Sequence, residues 1–174
     1  MLSDKEVCEN VSKMKDVVFW ASSFHKIKKV IFHISCSSPS HIERCIDIHK
    51  LSRKAHVCVL TSEKESYYGR GRLEVLIVIG KSGREEISDA IAKIAEENIN
   101  PDTICEETLE SHLAYQVHPD FVIKTGGSHL TDFLIWQSVY SELFFSDVNW
   151  GVFRRVDFLR ALRDYQSRVR RFGR

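Results

Sequence analysis

Three stretches of the chain carry residues able to do chemistry. At Lys124-Thr125-Gly126-Gly127-Ser128-His129 a cation and two glycines meet where the pattern changes from strand to helix. Paired glycines let the backbone turn sharply with its N–H groups outward, a helix start adds partial positive charge, and Lys124 adds a full one, a set suited to phosphate. An ordinary strand-to-helix turn has the same composition. Glu142, in YSELFF, stands just ahead of a strand and is a candidate for Mg²⁺, which takes one or two carboxylates plus substrate phosphates; the alternative is a solvated residue at a helix end. The third stretch is the basic end, Arg171-Phe172-Gly173-Arg174. Guanidinium forks grip phosphate oxygens bidentately and stay charged at any relevant pH. Gly173 lets main-chain N–H groups approach a small anion closely, which favours a diphosphate over a nucleic-acid backbone. A frayed, solvated helix end is the plain alternative.

Other groupings are weaker. His41, Cys45 and His49 fall at i, i+4 and i+8 of an expected helix, with the outer pair about 12 Å apart, too far to share one ion. The G-x-G of YGRGRLE precedes a strand and lacks a third glycine, so it reads as a flexible polar loop and not a dinucleotide fingerprint. No G-x-x-x-x-G-K-[ST], G-x-S-x-G or H-E-x-x-H occurs, which removes the common nucleotide-hydrolase, esterase and metalloprotease readings.

The elements that must position these groups follow from hydrophobic periodicity. Asp4 to Phe24 is expected to form an entry helix and residues 41–54 another. Strands are expected at KKVIFHIS (28–35), AHVCVL (55–60), RLEVLIVIG (72–80), DFVIKT (120–125) and LFFSD (143–147). The apolar middle of the third predicts cover on both faces. Ile87, Ala90, Ile91, Ile94 and Ala95 recur at helical spacing behind an acidic first turn at Glu85 and Glu86. EETLESHL gives a short helix, LTDFLIWQSVYSEL a longer one, and VDFLRALRDYQSRV a closing amphipathic one. Alternating strands and helices imply an α/β fold with a mainly parallel central sheet flanked by helices, in a single domain spanning residues 1–174.

Bulk properties limit the function classes. The 25 basic and 24 acidic residues leave a formal charge of +1. From Gly151 onward, however, eight arginines face only Asp157 and Asp164, so the positive charge is local. Five widely spaced cysteines without a C-x-x-C pair argue against a disulfide framework or zinc ribbon and for a reducing cytoplasm. No apolar run approaches the roughly 18 residues needed to span a bilayer. The expectation is a soluble cytoplasmic protein without an RNA-binding motif.

From about Arg72 onward the sequence resembles the cis-prenyltransferase family, the undecaprenyl and dehydrodolichyl diphosphate synthases. IGKSGREEISDAI is similar to the family's Y-G-G-R-x-E-I-x-x-A, and PDFVIKTGG to P-D-L-x-I-R-T-G-G. FLIWQSVYSELFFSDVNW is similar to F-L-L-W-Q-x-x-Y-S-E-L-x-F-x-D-x-x-W, and DFLRALRDYQSRVRRFG to the closing helix with its R-x-G. The resemblance implies the family's α/β sheet, a dimer, and Mg²⁺-dependent condensation of isopentenyl diphosphate onto an allylic diphosphate.

The departures from the family sharpen this. The D-G-N-x-R-W-A motif of catalytic members, with its leading strand and metal-binding aspartate, occurs nowhere in the 174 residues. KKVIFHISCSSPS stands in the place of the family's Y-A-F-S-x-E-N strand. In the diphosphate loop Lys124 replaces an arginine, Ser128 replaces a glutamate, and a second arginine is lost; His129 falls where some members carry a histidine near the metal. Arg171 and Gly173 of the R-x-G are kept, and in the family this motif crosses to the partner's isopentenyl diphosphate. The pattern resembles the non-catalytic, Nogo-B receptor type of subunit. It implies a homologous catalytic partner, Arg171 and Gly173 completing that partner's site, Glu142 assisting the metal there, and Lys124 and His129 as remnants of substrate binding. Trp136, Tyr140, Phe144 and Phe145 are the expected interface anchors. The alternatives are a divergent enzyme competent alone, an RNA- or polyphosphate-binding protein using the arginine-rich tail, or a chain whose catalytic front lies outside these residues.

Overall fold

A computed structural model describes residues 2–36, 39–61, 63–80, 82–127 and 134–169. Strand β1 (Leu2–Ser3) leads into α1 (Asp4–Glu9), closed by a capping box in which Ser3 and Glu6 exchange hydrogen bonds. The entry helix expected over Asp4 to Phe24 is divided: Asn10 departs from helical geometry (φ −135°, ψ 44°) and α2 (Val11–Ser22) begins beyond it. Then follow β2 (Lys29–Ser35), α3 (Pro39–Cys45), α4 (Ile48–Ser52), β3 (Ala55–Leu60), β4 (Glu65–Tyr68), β5 (Leu73–Ile79) and α5 (Gly83–Glu96). A 3₁₀ turn (Pro101–Thr103) precedes α6 (Glu106–His112), β6 (Phe121–Thr125) and β7 (Glu142–Ser146); a second (Trp150–Val152) precedes α7 (Arg155–Ser167). Among the described residues no helix is long and apolar enough to cross a membrane.

The strands form two sheets, where one had been expected. The larger has the order β1-β2-β5-β3-β4, parallel except for the β3–β4 hairpin, and β6 and β7 pair in parallel separately. The alternation of side chains along β5 decides the packing. Leu73, Val75, Ile77 and Ile79 enter the main core with Phe32, Ile34, Val57 and Val59, under helix residues Met14, Val18, Ile42 and Phe158. Leu76 and Val78 point the other way, to Tyr115, Val122 and Leu134. Cover on both faces explains why β5 reads as a continuous apolar run.

α7 closes the main core. Phe158 and Ala161 are buried, and the Phe158 ring lies 6.1 Å from Trp20 and 6.4 Å from Phe24. Lys13 adds a 2.9 Å hydrogen bond from its Nζ to the Phe153 carbonyl. Burial of a side chain the size of Phe158 contributes about 2–3 kcal/mol, enough to hold α7 against fraying and define where the tail leaves the fold.

Two expectations need correction. YGRGRLE is held against the neighbouring backbone: a Cβ on Gly71 would stand 2.6 Å from the Lys54 carbonyl oxygen, and Gly69 has φ +72°. The glycines permit close backbone approach. The helix expected over LTDFLIWQSVYSEL is absent from its described part, 134–143, where turns lead into the first two residues of β7. Buried Gln137 holds these turns by donating from Nε2 to the Tyr115 carbonyl and to Glu86, a tertiary anchor that outweighs the segment's helical periodicity.

Candidate functional site

The loop after β6 begins where the small sheet ends. Thr125 pairs with Ser146, and the next N–H, from Gly126, is shared between the Ser146 carbonyl at 3.0 Å and the Val148 carbonyl at 3.1 Å. It is therefore turned inward, contrary to the expectation of an outward amide cradle. Gly126 (φ +71°) and Gly127 (φ +134°) lie in the left-handed region that favours glycine. A Cβ on Gly126 would lie 3.0 Å from Asn149 Oδ1 and 3.8 Å from Glu6 Oε1, whereas Gly127 faces open space.

Lys124 donates from Nζ to the Thr125 carbonyl at 2.7 Å, so its ammonium is folded back onto its own backbone. With the Glu6 carboxylate standing over Gly126, the described part of the loop offers a diphosphate one engaged cation and a neighbouring negative charge. Ser128 and His129 lie outside the described residues, as do Arg171 and Gly173.

Glu142 is at the other end of the small sheet. It pairs with Phe121, four residues before the glycine end and so about 13 Å along the strand. Glu142 therefore does not stand beside the glycine loop. Its Oε2 accepts a 2.9 Å hydrogen bond from Arg168 Nη1, while Arg168 Nε donates to Asp164 Oδ2 at 2.7 Å. Hydrogen bonding to Glu142 first, and the Asp164 charge after it, push the Arg168 pKa upward. Arg168 follows directly on α7, so these two carboxylates fix the point from which the C-terminal arginines depart. Sequence reading missed Arg168, because an arginine among eight in this segment carries no spacing signal.

The four expected interface aromatics divide. Tyr140 and Phe145 are exposed, at 62% and 41%, alongside Ile135 and Val139. Phe144 is half-buried on the α7 side, its ring 6.3 Å from Phe121, which in turn contacts Tyr165. Trp136 lines an apolar groove of about 420 Å³ with Ile91, Ile94, Ile104 and Leu109. Tyr140 and Phe145 thus remain available to a partner, while Phe144 serves the chain's own packing.

Glu86 lies in the acidic first turn of α5, as expected, and is buried there. Its two oxygens each accept from Gln137 Nε2 at 3.2 Å. Burial is the main influence on its pKa, which it raises; burial together with the Glu86 charge also raises that of Tyr115. This cluster joins α5 to the turns before β7 and braces the segment that carries Tyr140 and Glu142.

The sequence stripe His41, Cys45, His49 is broken, since α3 ends at Cys45 and His49 belongs to α4. Among the described residues, the one grouping of three His, Cys or carboxylate side chains with donor atoms within 4.8 Å of one another is Cys8, His41 and Cys45. Its thiols are unsuited to Mg²⁺, a hard ion that prefers oxygen. The Glu142 carboxylate is already engaged by Arg168. Among the described residues no grouping of three carboxylates within that distance occurs.

Comparison with known proteins accounts for this mixture of retained framework and altered loop. The sequence profile described as putative undecaprenyl diphosphate synthase matches residues 8–173. A tritrans,polycis-undecaprenyl-diphosphate synthase (geranylgeranyl-diphosphate specific) of Methanocaldococcus jannaschii is 50% identical over 109 residues, covering 57% of this chain and 39% of the relative. A short-chain Z-isoprenyl diphosphate synthase of Mycobacterium leprae is 34% identical over 176 residues, covering 95% of this chain and 66% of the relative. The isoprenyl transferase of Deinococcus radiodurans is 45% identical over 131 residues, with 67% and 47% covered. The chain spans about half the length of such curated relatives. Among solved structures, the lavandulyl diphosphate synthase of Lavandula x intermedia superposes with a TM-score of 0.59 at 24% identity, covering 99% of this chain and 76% of that one. A probable undecaprenyl diphosphate synthase of Campylobacter jejuni gives 0.56 at 19%, with 99% and 80% covered. These two likenesses establish a shared fold, and the profile match over nearly the whole length establishes descent: the chain belongs to the undecaprenyl diphosphate synthase, or cis-prenyltransferase, family.

Proposed function

We propose that this chain is the non-catalytic subunit of a heteromeric cis-prenyltransferase that makes a long polyprenyl diphosphate from isopentenyl diphosphate and an allylic diphosphate. In this reading Arg171 and Gly173 enter the active site of a homologous catalytic subunit and bind isopentenyl diphosphate there. The partner supplies the residues for Mg²⁺, with Glu142 near the shared edge, and the complex works in the cytoplasm. The carrying observation is the contrast between the two basic elements. Lys124 is turned back onto the Thr125 carbonyl, whereas Arg168, which the tail follows in sequence, is braced by Glu142 and Asp164; Tyr140, two residues before Glu142, and Phe145, on the strand that Glu142 begins, are exposed.

The chemistry asked of the tail is charge neutralisation. A diphosphate shielded from water is stabilised far more by a fixed guanidinium and main-chain N–H groups than it would be in bulk solvent. Arg171 lies three residues beyond Arg168, a reach of at most about 10 Å of extended chain, so the motif must act close to the Glu142 edge and therefore across an interface built there. Tyr140 and Phe145 supply the amphipathic and apolar area that such an interface needs.

The test is reconstitution. The chain alone, a partner bearing D-G-N-x-R-W-A alone, and the two together are assayed for incorporation of labelled isopentenyl diphosphate. Activity is expected only from the pair, with Arg171→Ala lowering its kcat/KM about 10²-fold and Lys124→Ala changing it less than about threefold. Full activity from the chain alone would overturn the proposal in favour of a self-sufficient enzyme. Steep salt-dependent binding of RNA, with no effect of the chain on the partner, would overturn it in favour of a nucleic-acid binder.

A further inference from the structure

Cys8 on α1 and Cys45 at the end of α3 are 37 residues apart in sequence, yet both sulfurs converge on one nitrogen. Cys8 Sγ lies 3.7 Å and Cys45 Sγ 3.8 Å from Nε2 of His41, and all three donor atoms lie within 4.8 Å of one another. The Nε2 of an imidazole has one lone pair or one proton, so it cannot make a good hydrogen bond with both sulfurs at once. The two nitrogen–sulfur distances fit a different arrangement. With Zn–S near 2.3 Å and Zn–N near 2.0–2.1 Å, tetrahedral angles place a bound nitrogen and sulfur about 3.6 Å apart and two bound sulfurs about 3.8 Å apart.

We propose that Cys8, His41 and Cys45 form a transition-metal site that takes Zn²⁺, independent of the Mg²⁺ chemistry of prenyl transfer. Two thiolates and an imidazole are the ligand set that selects zinc over magnesium or calcium. Three protein ligands leave the fourth tetrahedral position to water or to an exogenous donor. His41 is exposed and both cysteines are half-buried, so an ion has a path from solvent. No disulfide engages either cysteine. Binding Zn²⁺ releases two protons, one from each thiol, with His41 neutral and coordinating through Nε2.

The consequence for the fold is a clip between α1 and α3. α1 is only six residues long, too short to be stable by itself, and it carries the Glu6 that stands over Gly126. A metal joining Cys8 to α3 fixes this helix and, through it, the wall of the glycine loop.

The experiment uses the full chain, reduced and stripped of metal by a chelator. Titration with Co²⁺ is expected to give a thiolate-to-cobalt charge-transfer band and the intense visible bands of a tetrahedral site, saturating at one ion per chain and bleached by Zn²⁺. Zn²⁺ at about 100 times its Kd is expected to raise the Tm by about 5–10 °C and to release two protons per ion in weak buffer. Cys8→Ser, Cys45→Ser and His41→Gln should each abolish the tetrahedral spectrum while melting like the stripped wild type, whereas Cys105→Ser should keep it. A wild-type spectrum without charge transfer, or one that survives in Cys8→Ser and Cys45→Ser, would overturn the proposal. If one variant fails to fold, the other two decide. Because every readout is taken without partner or prenyl substrate, failure here is separable from failure of the proposed function.

Discussion

Glu142 Oε2 and Arg168 Nη1 are 2.9 Å apart, joining the first residue of β7 to the residue that follows the closing helix. Asp164 holds the other edge of the same guanidinium, so the direction of Arg168 is set from two sides. The pair is a third to a quarter exposed, and its role is better described as aiming than as stabilising.

Arg168→Ala should accordingly separate stability from function. Partly exposed ion pairs are worth about 0–1 kcal/mol, so the urea midpoint of the isolated chain should scarcely move. In the reconstituted pair the tail would lose its fixed origin, and kcat/KM for isopentenyl diphosphate should fall about 10-fold, since small misplacements of a binding group are costly. A fall in the chain's stability above about 2 kcal/mol would show that Arg168 is mainly structural.

The exposed and half-buried aromatics make opposite predictions. Tyr140→Glu or Phe145→Glu should leave the isolated chain's Tm unchanged while weakening association with the catalytic partner by 2 kcal/mol or more, measured by sedimentation. Phe144→Ala should destabilise the chain itself by about 2–4 kcal/mol, because its ring packs against Phe121 under α7. Equal effects of the three substitutions on association would remove the distinction.

What was legible in the sequence tracks what local periodicity encodes. Every strand from β2 to β7 except β4 stood out, because short segments rich in apolar, aromatic and β-branched residues and bounded by turn residues have few other solutions. β4 did not, because ESYY is short and polar and its strand character comes from pairing with β3. The turns at 134–141 were mistaken for helix because Gln137 acts through Glu86, 51 residues away. Arg171, Gly173 and Lys124 were named as candidates by type and by resemblance, whereas Cys8 could not be joined to His41 and Cys45 at all. That grouping exists only after α1 packs on α3.

Glu86 makes stability depend on pH in a direction opposite to a salt-bridged acid. Burial raises its pKa above the ordinary value of 4.5, so the native state holds its proton to higher pH than the unfolded chain does. The Glu86 contribution is complete below about pH 4.5 and is lost as pH rises through the folded value. Glu86→Gln, which keeps an acceptor for Gln137, should remove this slope, so that the variant gains on wild type as pH rises from 5 to 8 in urea titrations. Glu86→Ala should cost about 1–3 kcal/mol at every pH by depriving buried Gln137 of a partner. Parallel pH profiles for wild type and Glu86→Gln would contradict the assignment.

Gly71→Ala tests whether the G-x-G is a close-packing device or a flexible loop. A methyl at this position would stand 2.6 Å from the Lys54 carbonyl oxygen and 2.7 Å from the Ala55 Cα, and neither backbone atom can withdraw without pulling on Ala55, the first residue of β3. Ala55 is fully buried and pairs with Leu73 at the start of β5, so the displacement would be passed to the central pair of the main sheet. Overpacking of this kind costs about 1–3 kcal/mol, against a gain of about 0.4–1 kcal/mol from stiffening the unfolded chain where alanine fits. The expected net result is a loss of about 1–2 kcal/mol in chemical denaturation, with faster hydrogen exchange at the N-terminal ends of β3 and β5 and no change near β6. If stability rises instead, the segment has room for a side chain, and its two glycines serve mobility, as their spacing alone suggests.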